Sequence, residues 1–225
     1  MKDPLINLID AEDKASTLFS EIENRKLIAS GKSENTLNKE IFKLAYEMYG
    51  IKKYWHKRIV RAGANTLHPY KENPQNLTIE EDDIVFIDFG PIFDEWEADF
   101  GRTYVLGDDK YKHKLKLDIS LAWEDCKKYF DSKKSISGAN LYAYAVECAK
   151  KYGWEFGGEI AGHLIGHFPH EKLDEEDKTN YIHPDNHVNM FDPDGEGLKR
   201  NWILEIHFID KSKKIGGFYE QLLTK

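Results

Sequence analysis

Cysteine is scarce. The chain has 225 residues and two cysteines, Cys126 and Cys148. Neither belongs to a C-x-x-C pair, which excludes a zinc ribbon and a thioredoxin-type redox centre. Both fall in helix-like stretches and are expected as free thiols in a reducing compartment, the cytoplasm. Positive charge is also in deficit, with a net charge of −8. A surface that reads phosphates needs excess Lys and Arg, so nucleic acid is not an expected partner. Apolar runs long enough to span a bilayer are missing, and the amino terminus, MKDPLIN, lacks the apolar core of a signal segment. A membrane association is therefore not expected. No fixed-period repeat and no low-complexity segment is present.

What remains is the composition of a globular protein, 40% hydrophobic and 32% charged. Apolar residues at helical spacing predict a helix over about 10–30, broken by Gly31. A second helix is predicted from Ser33, a suitable N-cap, to Gly50, a natural stop. Two more are expected near 111–130 and 137–151. Strands are expected at 58–60, 84–90, 100–106, 202–208 and 217–223. Hairpin-like pairs dominate the second half, which predicts an α+β fold with a mixed, largely antiparallel sheet. The acidic stretch 172–200, rich in Asn and Pro, reads as a surface insertion. The whole chain, 1–225, is expected to form one domain, without room for a separate amino-terminal one.

Several acids sit where acids are costly. Asp88 interrupts the apolar run IVFIDFG, Glu205 interrupts WILEIHF, and Glu220 interrupts GFYEQLL. Asp99 immediately precedes FGRTYVL. A carboxylate in an apolar strand must be paired or bound to a cation. One such acid is ordinarily an outward-facing edge residue; four of them beside a His-rich segment, GHLIGHFPHE at 162–171, describe a site for two divalent cations. Asp88 and Asp99 are eleven positions apart with Gly90 and Pro91 between them, so a hairpin could return the second acid beside the first.

Those motifs, in that order, resemble the metal-ligand series of the pita-bread metallopeptidase superfamily, the methionine aminopeptidases, prolidases and Xaa-Pro aminopeptidases of peptidase family M24. The resemblance rests on DFG at 88–90, ADFGRTYVLG at 98–107, GHLIGHFPHE at 162–171, LEIHF at 204–208 and YEQLL at 219–223. It extends to IASGKSENTLNKEIF at 28–42 and RAGANTLHPY at 61–70, and so covers about residues 10–225. It implies a pita-bread fold of two pseudo-symmetric halves around a central site. It further implies that Asp88 binds one metal, that Asp99 and Glu220 bridge both, and that His163 and Glu205 bind the other. Glu205 would serve as general base, while His170 and His68 match the two histidines that contact substrate. The chain departs from the family in having Ile206-His207 after Glu205, where Pro usually follows, and Leu164 where Gly is common.

The cofactors implied are two divalent ions. Carboxylate-rich donors suit manganese, and one imidazole leaves cobalt, iron or zinc compatible. The partner implied is a peptide substrate; the oligomeric state stays open, a homodimer included. Three functions follow from the resemblance: an Xaa-Pro exopeptidase, a methionine aminopeptidase, and a pita-bread binding module that has lost catalysis. The RAGANTLHPY loop and the fifteen-residue spacing of Glu205 and Glu220 favour the first. Retention of the full ligand set argues against the third.

Overall fold

The computed structural model describes residues 4–168, 177–195 and 197–225. Four helices and eight strands follow one another as α1 (Pro4–Asn24), α2 (Glu34–Tyr49), β1 (Ile59–Ala62), β2 (Ile84–Phe89), β3 (Ile92–Phe93), β4 (Trp96–Glu97), β5 (Phe100–Val105), α3 (Lys110–Asp131), α4 (Gly138–Tyr152), β6 (Glu155–Phe156), β7 (Ile203–Asp210) and β8 (Ile215–Leu222). Six strands form one sheet in the order β1-β2-β5-β8-β7-β6, and every pairing in it is antiparallel. Read outward from the β5–β8 junction, each half presents its last, middle and first strand. That is the pseudo-symmetry expected of the fold, and the two halves meet at the centre of the sheet.

Side-chain alternation divides the two faces of the sheet. Val85, Ile87, Phe89, Phe100 and Tyr104 join one apolar core with α1 and α2. Leu204, Ile206, Phe208, Ile215 and Leu223 join a second core with α3 and α4. Each such side chain, fully buried, contributes about 1.5–3 kcal/mol. Trp123 of α3 is 2% exposed and donates its indole N–H to the Leu204 carbonyl at 2.9 Å, tying the second helix pair to β7. The helices thus occupy one face, and the intervening positions of the same strands are turned to the other.

Helix ends follow local chemistry. Ser33 caps α2 by accepting from the Thr36 N–H, and Gly50 closes it in the left-handed conformation. Asp109 and Ser137 cap α3 and α4 in the same way, and Gly153 ends α4. The first helix differs from expectation: it begins at Pro4 and ends at Asn24, where Lys26 takes a φ of 51° before Gly31 is reached. The stretch expected as a surface insertion at 172–200 is only partly that. Among its described residues Ile182, Asn186 and Met190 are buried, and Ile182 and Met190 belong to the second core. No helix among the described residues is long and apolar enough to cross a membrane.

Candidate metal centre

The register across the middle of the sheet places the acids in one row. Asp88 of β2 lies opposite Gly101 of β5, Gly101 opposite Glu220 of β8, and Glu220 opposite Glu205 of β7. Directly opposed residues in antiparallel strands share a face. All three carboxylates therefore point away from the helices, across the β5–β8 junction. Gly101 keeps the row open at its centre. A Cβ there would lie 2.6 Å from the Phe218 ring and 3.0 Å from the Glu220 Cβ.

Asp99 joins the row through the hairpin between β2 and β5. Asp94 and Glu95 take φ values of 49° and 72°, the left-handed pair that a tight two-residue turn requires between β3 and β4. The chain returns two residues before Gly101, so Asp99 shares its face. His163 arrives from a segment laid along the start of β7: the Ile203 N–H donates to the His163 carbonyl at 2.8 Å, and the Glu205 N–H to the Ala161 carbonyl at 3.0 Å. Close approach there depends on Gly162, which has a φ of 137°; a Cβ on it would sit 2.0 Å from the Ile203 carbonyl oxygen. His163 Nε2 lies 3.1 Å from Asp99 Oδ2 and 4.0 Å from Glu220 Oε1.

A second histidine, His56, reaches the same place from the segment before β1. Its Nε2 lies 3.0 Å from Asp99 Oδ1 and 3.6 Å from Asp88 Oδ1. Among the described residues, two triads have ligand atoms within 4.8 Å of one another: His56, Asp88 and Asp99, and Asp99, His163 and Glu220. They share Asp99.

The electrostatics of this cluster are severe. Burial, with Asp99 and Glu205 nearby, lifts Asp88 to about 7 against the pull of His56. Burial and three neighbouring carboxylates push Glu220 well above the usual range, and burial raises Glu205. Asp99 behaves oppositely: burial would raise it, but the two imidazoles outweigh that and bring it to about 2. His56 is lifted to about 9, because Asp99 and Asp88 overcome a burial that disfavours its charge. Asp88 Oδ1 and Glu220 Oε2 are buried without a hydrogen-bond partner. Such oxygens are costly in isolation and suited to cations.

Comparison with known proteins places the chain in a family. The profile of metallopeptidase family M24 matches residues 7–219. The chain belongs to metallopeptidase family M24. An Xaa-Pro dipeptidase from Pyrococcus horikoshii is 30% identical over 141 residues, which is 62% of this chain and 38% of that protein. The matched segment thus spans well under half the length of this curated relative. Among solved structures, a prolidase from Thermococcus sibiricus superposes with a TM-score of 0.77 at 23% identity, covering all of this chain and 59% of the prolidase. A methionine aminopeptidase from Thermotoga maritima superposes with a TM-score of 0.68 at 15% identity, covering 100% of this chain and 98% of that one. These likenesses establish the pita-bread fold of the M24 chain.

Within the M24 fold the five residues expected as ligands, Asp88, Asp99, His163, Glu205 and Glu220, come together. The residues expected to contact substrate are distributed differently. His68 follows a 3-10 turn (Gly63–Leu67) and is partly exposed, with Nδ1 donating to the Glu72 carboxylate. His170 lies outside the described residues. Arg102 follows Asp99 closely in sequence but does not reach its carboxylate. It lies between the rings of Phe100 and Tyr219, donating to the Gly101 and Glu220 carbonyls and to Gln221 Oε1. It holds the Glu220 backbone, not its carboxylate. His207 is buried on β7, with Nε2 donating to the Thr66 carbonyl at 2.8 Å, and His167 is about half exposed beside Trp96. The residue that sequence reasoning missed is His56. Its setting, KKYWHKR at 52–58, has no periodicity and no acid to mark it.

Proposed function

We propose that this M24 chain is a two-metal exopeptidase that hydrolyses peptide bonds near an amino terminus, of the Xaa-Pro type. The observation that supports it is the row Asp88–Gly101–Glu220–Glu205, closed by Asp99 and His163, with two buried oxygens lacking partners. Mostly hard oxygen donors with imidazole suit divalent cations, and the orphaned oxygens are where cations would relieve the crowding. Asp88, Asp99, Glu205, Glu220 and His163 would hold them. When bound, such a pair of cations supplies an activated water near neutral pH and polarises a peptide carbonyl.

The chain's own groups would do the rest. Glu205 stands at the end of the row, and its carboxyl hydrogen-bonds with that of Glu220. As general base its carboxylate takes the proton of the attacking water and passes it to the leaving nitrogen. His68 donates Nδ1–H to the Glu72 carboxylate, and its Nε2 is the ring atom left to hydrogen-bond with the substrate. His170 is proposed as the hydrogen-bond donor to the carbonyl oxygen as negative charge develops on it.

The Xaa-Pro reading draws on the RAGANTLHPY loop, the fifteen-residue spacing of Glu205 and Glu220, and the similarity to Xaa-Pro dipeptidases. Methionine aminopeptidase is the second reading, an activity known on the same fold. The test is the purified protein with manganese, offered Xaa-Pro dipeptides, Xaa-Pro-Xaa tripeptides and Met-Ala. Release of the residue before proline is expected, abolished by chelation and restored by manganese or cobalt. Turnover of Met-Ala alone would reassign the specificity. A folded, metal-loaded protein inert across the panel would make it a binding module.

A further inference from the structure

The two histidines of the centre are held in the same way. His163 donates Nδ1–H to the carbonyl of the next residue, Leu164, at 2.7 Å, and His56 donates Nδ1–H to the carbonyl of the next residue, Lys57, at 2.8 Å. Each then turns Nε2 to one oxygen of the same carboxylate: His163 to Asp99 Oδ2 at 3.1 Å, and His56 to Asp99 Oδ1 at 3.0 Å. Each packs edge-on against one indole, Trp55, with ring centroids 5.1 and 4.5 Å away. A backbone carbonyl on the distal nitrogen is the usual outer support of a metal-binding imidazole, because it fixes the tautomer and leaves the other nitrogen's lone pair facing the metal. His56 has that support.

The placement of His56 is built into the fold. The Trp55 N–H donates to the Gly90 carbonyl at 3.0 Å, and its indole N–H donates to the Ala98 carbonyl at 2.9 Å. Residues 55 and 56 are thereby strapped to the ends of the two segments that present Asp88 and Asp99. Gly90 makes room for the strap: a Cβ there would lie 2.2 Å from the His56 ring and 2.4 Å from the Trp55 indole nitrogen. With Nδ1 donating to the Lys57 carbonyl, Nε2 is the atom aimed at two carboxylate oxygens, one of them Asp88 Oδ1, which has no hydrogen-bond partner. Two carboxylate oxygens and this nitrogen converge on one point; without metal the proton on Nε2 occupies it, and a bound cation would take that proton's place.

We infer that His56 is a second imidazole ligand of the centre, completing with Asp88 and Asp99 a metal position that mirrors the one formed by His163, Asp99 and Glu220. The inference rests on the two-metal reading above. It gives each metal one nitrogen donor, which favours zinc, cobalt or iron over manganese more strongly than a centre with one imidazole would.

X-ray absorption of the wild-type protein, loaded with cobalt or zinc to two equivalents, reads the ligands directly. The expected result is imidazole scattering equivalent to one ring per metal. Half that value would overturn the inference, because it leaves His163 as the sole nitrogen ligand. Metal titration by calorimetry of His56→Gln and His56→Ala supplies the second readout. One of two sites is expected to weaken at least about 10–100-fold, the range seen when even outer supports of metal ligands are lost. Two sites of unchanged affinity in either folded variant would overturn the inference and leave the two-metal reading intact. A wild-type protein that binds one ion, with His56 as an imidazolium in place of the other, would overturn both, as would one that binds none.

Discussion

At the scale of single residues, the centre was legible wherever charge conflicted with its surroundings. Asp88, Glu205 and Glu220 each break an apolar strand, and the structure puts all three in one row. Asp99 was legible through the hairpin spacing. His56 was not, because nothing local distinguishes it: its position depends on bonds from Trp55 to Gly90 and Ala98, 35 and 43 positions further on. Among these residues Glu205 has the most demanding proposed role, and Glu205→Gln isolates it. The change keeps size and one oxygen while removing the charge and the capacity to take a proton. The variant is expected to fold, to bind metal more weakly, and to turn over peptide roughly 10²–10⁴-fold more slowly at saturating metal. Steady-state kinetics on an Xaa-Pro substrate would measure this. A near-normal kcat would remove Glu205 as the base.

At the scale of elements, caps and alternation predicted α2, α3, α4 and the long strands to within a few residues. Besides the two-residue strands β3, β4 and β6, two features escaped. The first helix lies upstream of its expected position, since its apolar stripe includes Leu8 and Ala11 and its end is set by Lys26 in a left-handed turn. The acidic 172–200 stretch hides its anchors among Asp, Asn and Pro. Isolated apolar residues such as Ile182 and Met190 make no periodic pattern, and Asn186 is buried because its amide donates to the Thr179 and Tyr181 carbonyls. The segment that delivers His163 makes a testable case of an element held by backbone fit. Gly162→Ala would place a Cβ 2.0 Å from the Ile203 carbonyl at a φ of 137°. Backbone strain of this kind costs about 1–3 kcal/mol, before the clash is counted. A lower denaturant midpoint is expected, together with weaker metal binding as His163 is drawn off Asp99. Gly195→Ala, with nothing within 4 Å, is the control and should stay within about 0.5 kcal/mol of wild type. Equal midpoints for the two variants would show that the His163 segment does not depend on this contact.

At the scale of the whole molecule, the fold concentrates its electrostatic conflict at the junction of its two halves, so stability, pH and metal occupancy should be linked. With metal removed by chelation, Asp88 has its folded pKa raised from 3.8 to about 7, and Glu205 and Glu220 are also raised. A raised carboxyl favours its protonated form in the folded state. Its contribution is therefore greatest below the unfolded value and is lost as pH rises from about 4 to about 7. His56, raised to about 9, stabilises fully below its ordinary 6.5 and loses that contribution as pH climbs through 9, so it acts in the same direction. Asp99, lowered to about 2, stabilises above 3.8 and loses this only as pH falls towards 2, below the window concerned. Bound cations would replace the missing protons and compete with them, so metal affinity should strengthen as pH rises. Metal at ~100 times its Kd adds roughly 2.7 kcal/mol. A chain of this size then gains on the order of 5–10 °C in Tm, from about 2–4 °C per kcal/mol. At a fixed metal concentration, the gap in Tm between loaded and chelated protein is expected to be small at pH 5 and to widen to that range by pH 8. Differential scanning calorimetry across that series is the check. A gap that is the same at both ends would mean that the buried carboxylates are not what the metal relieves.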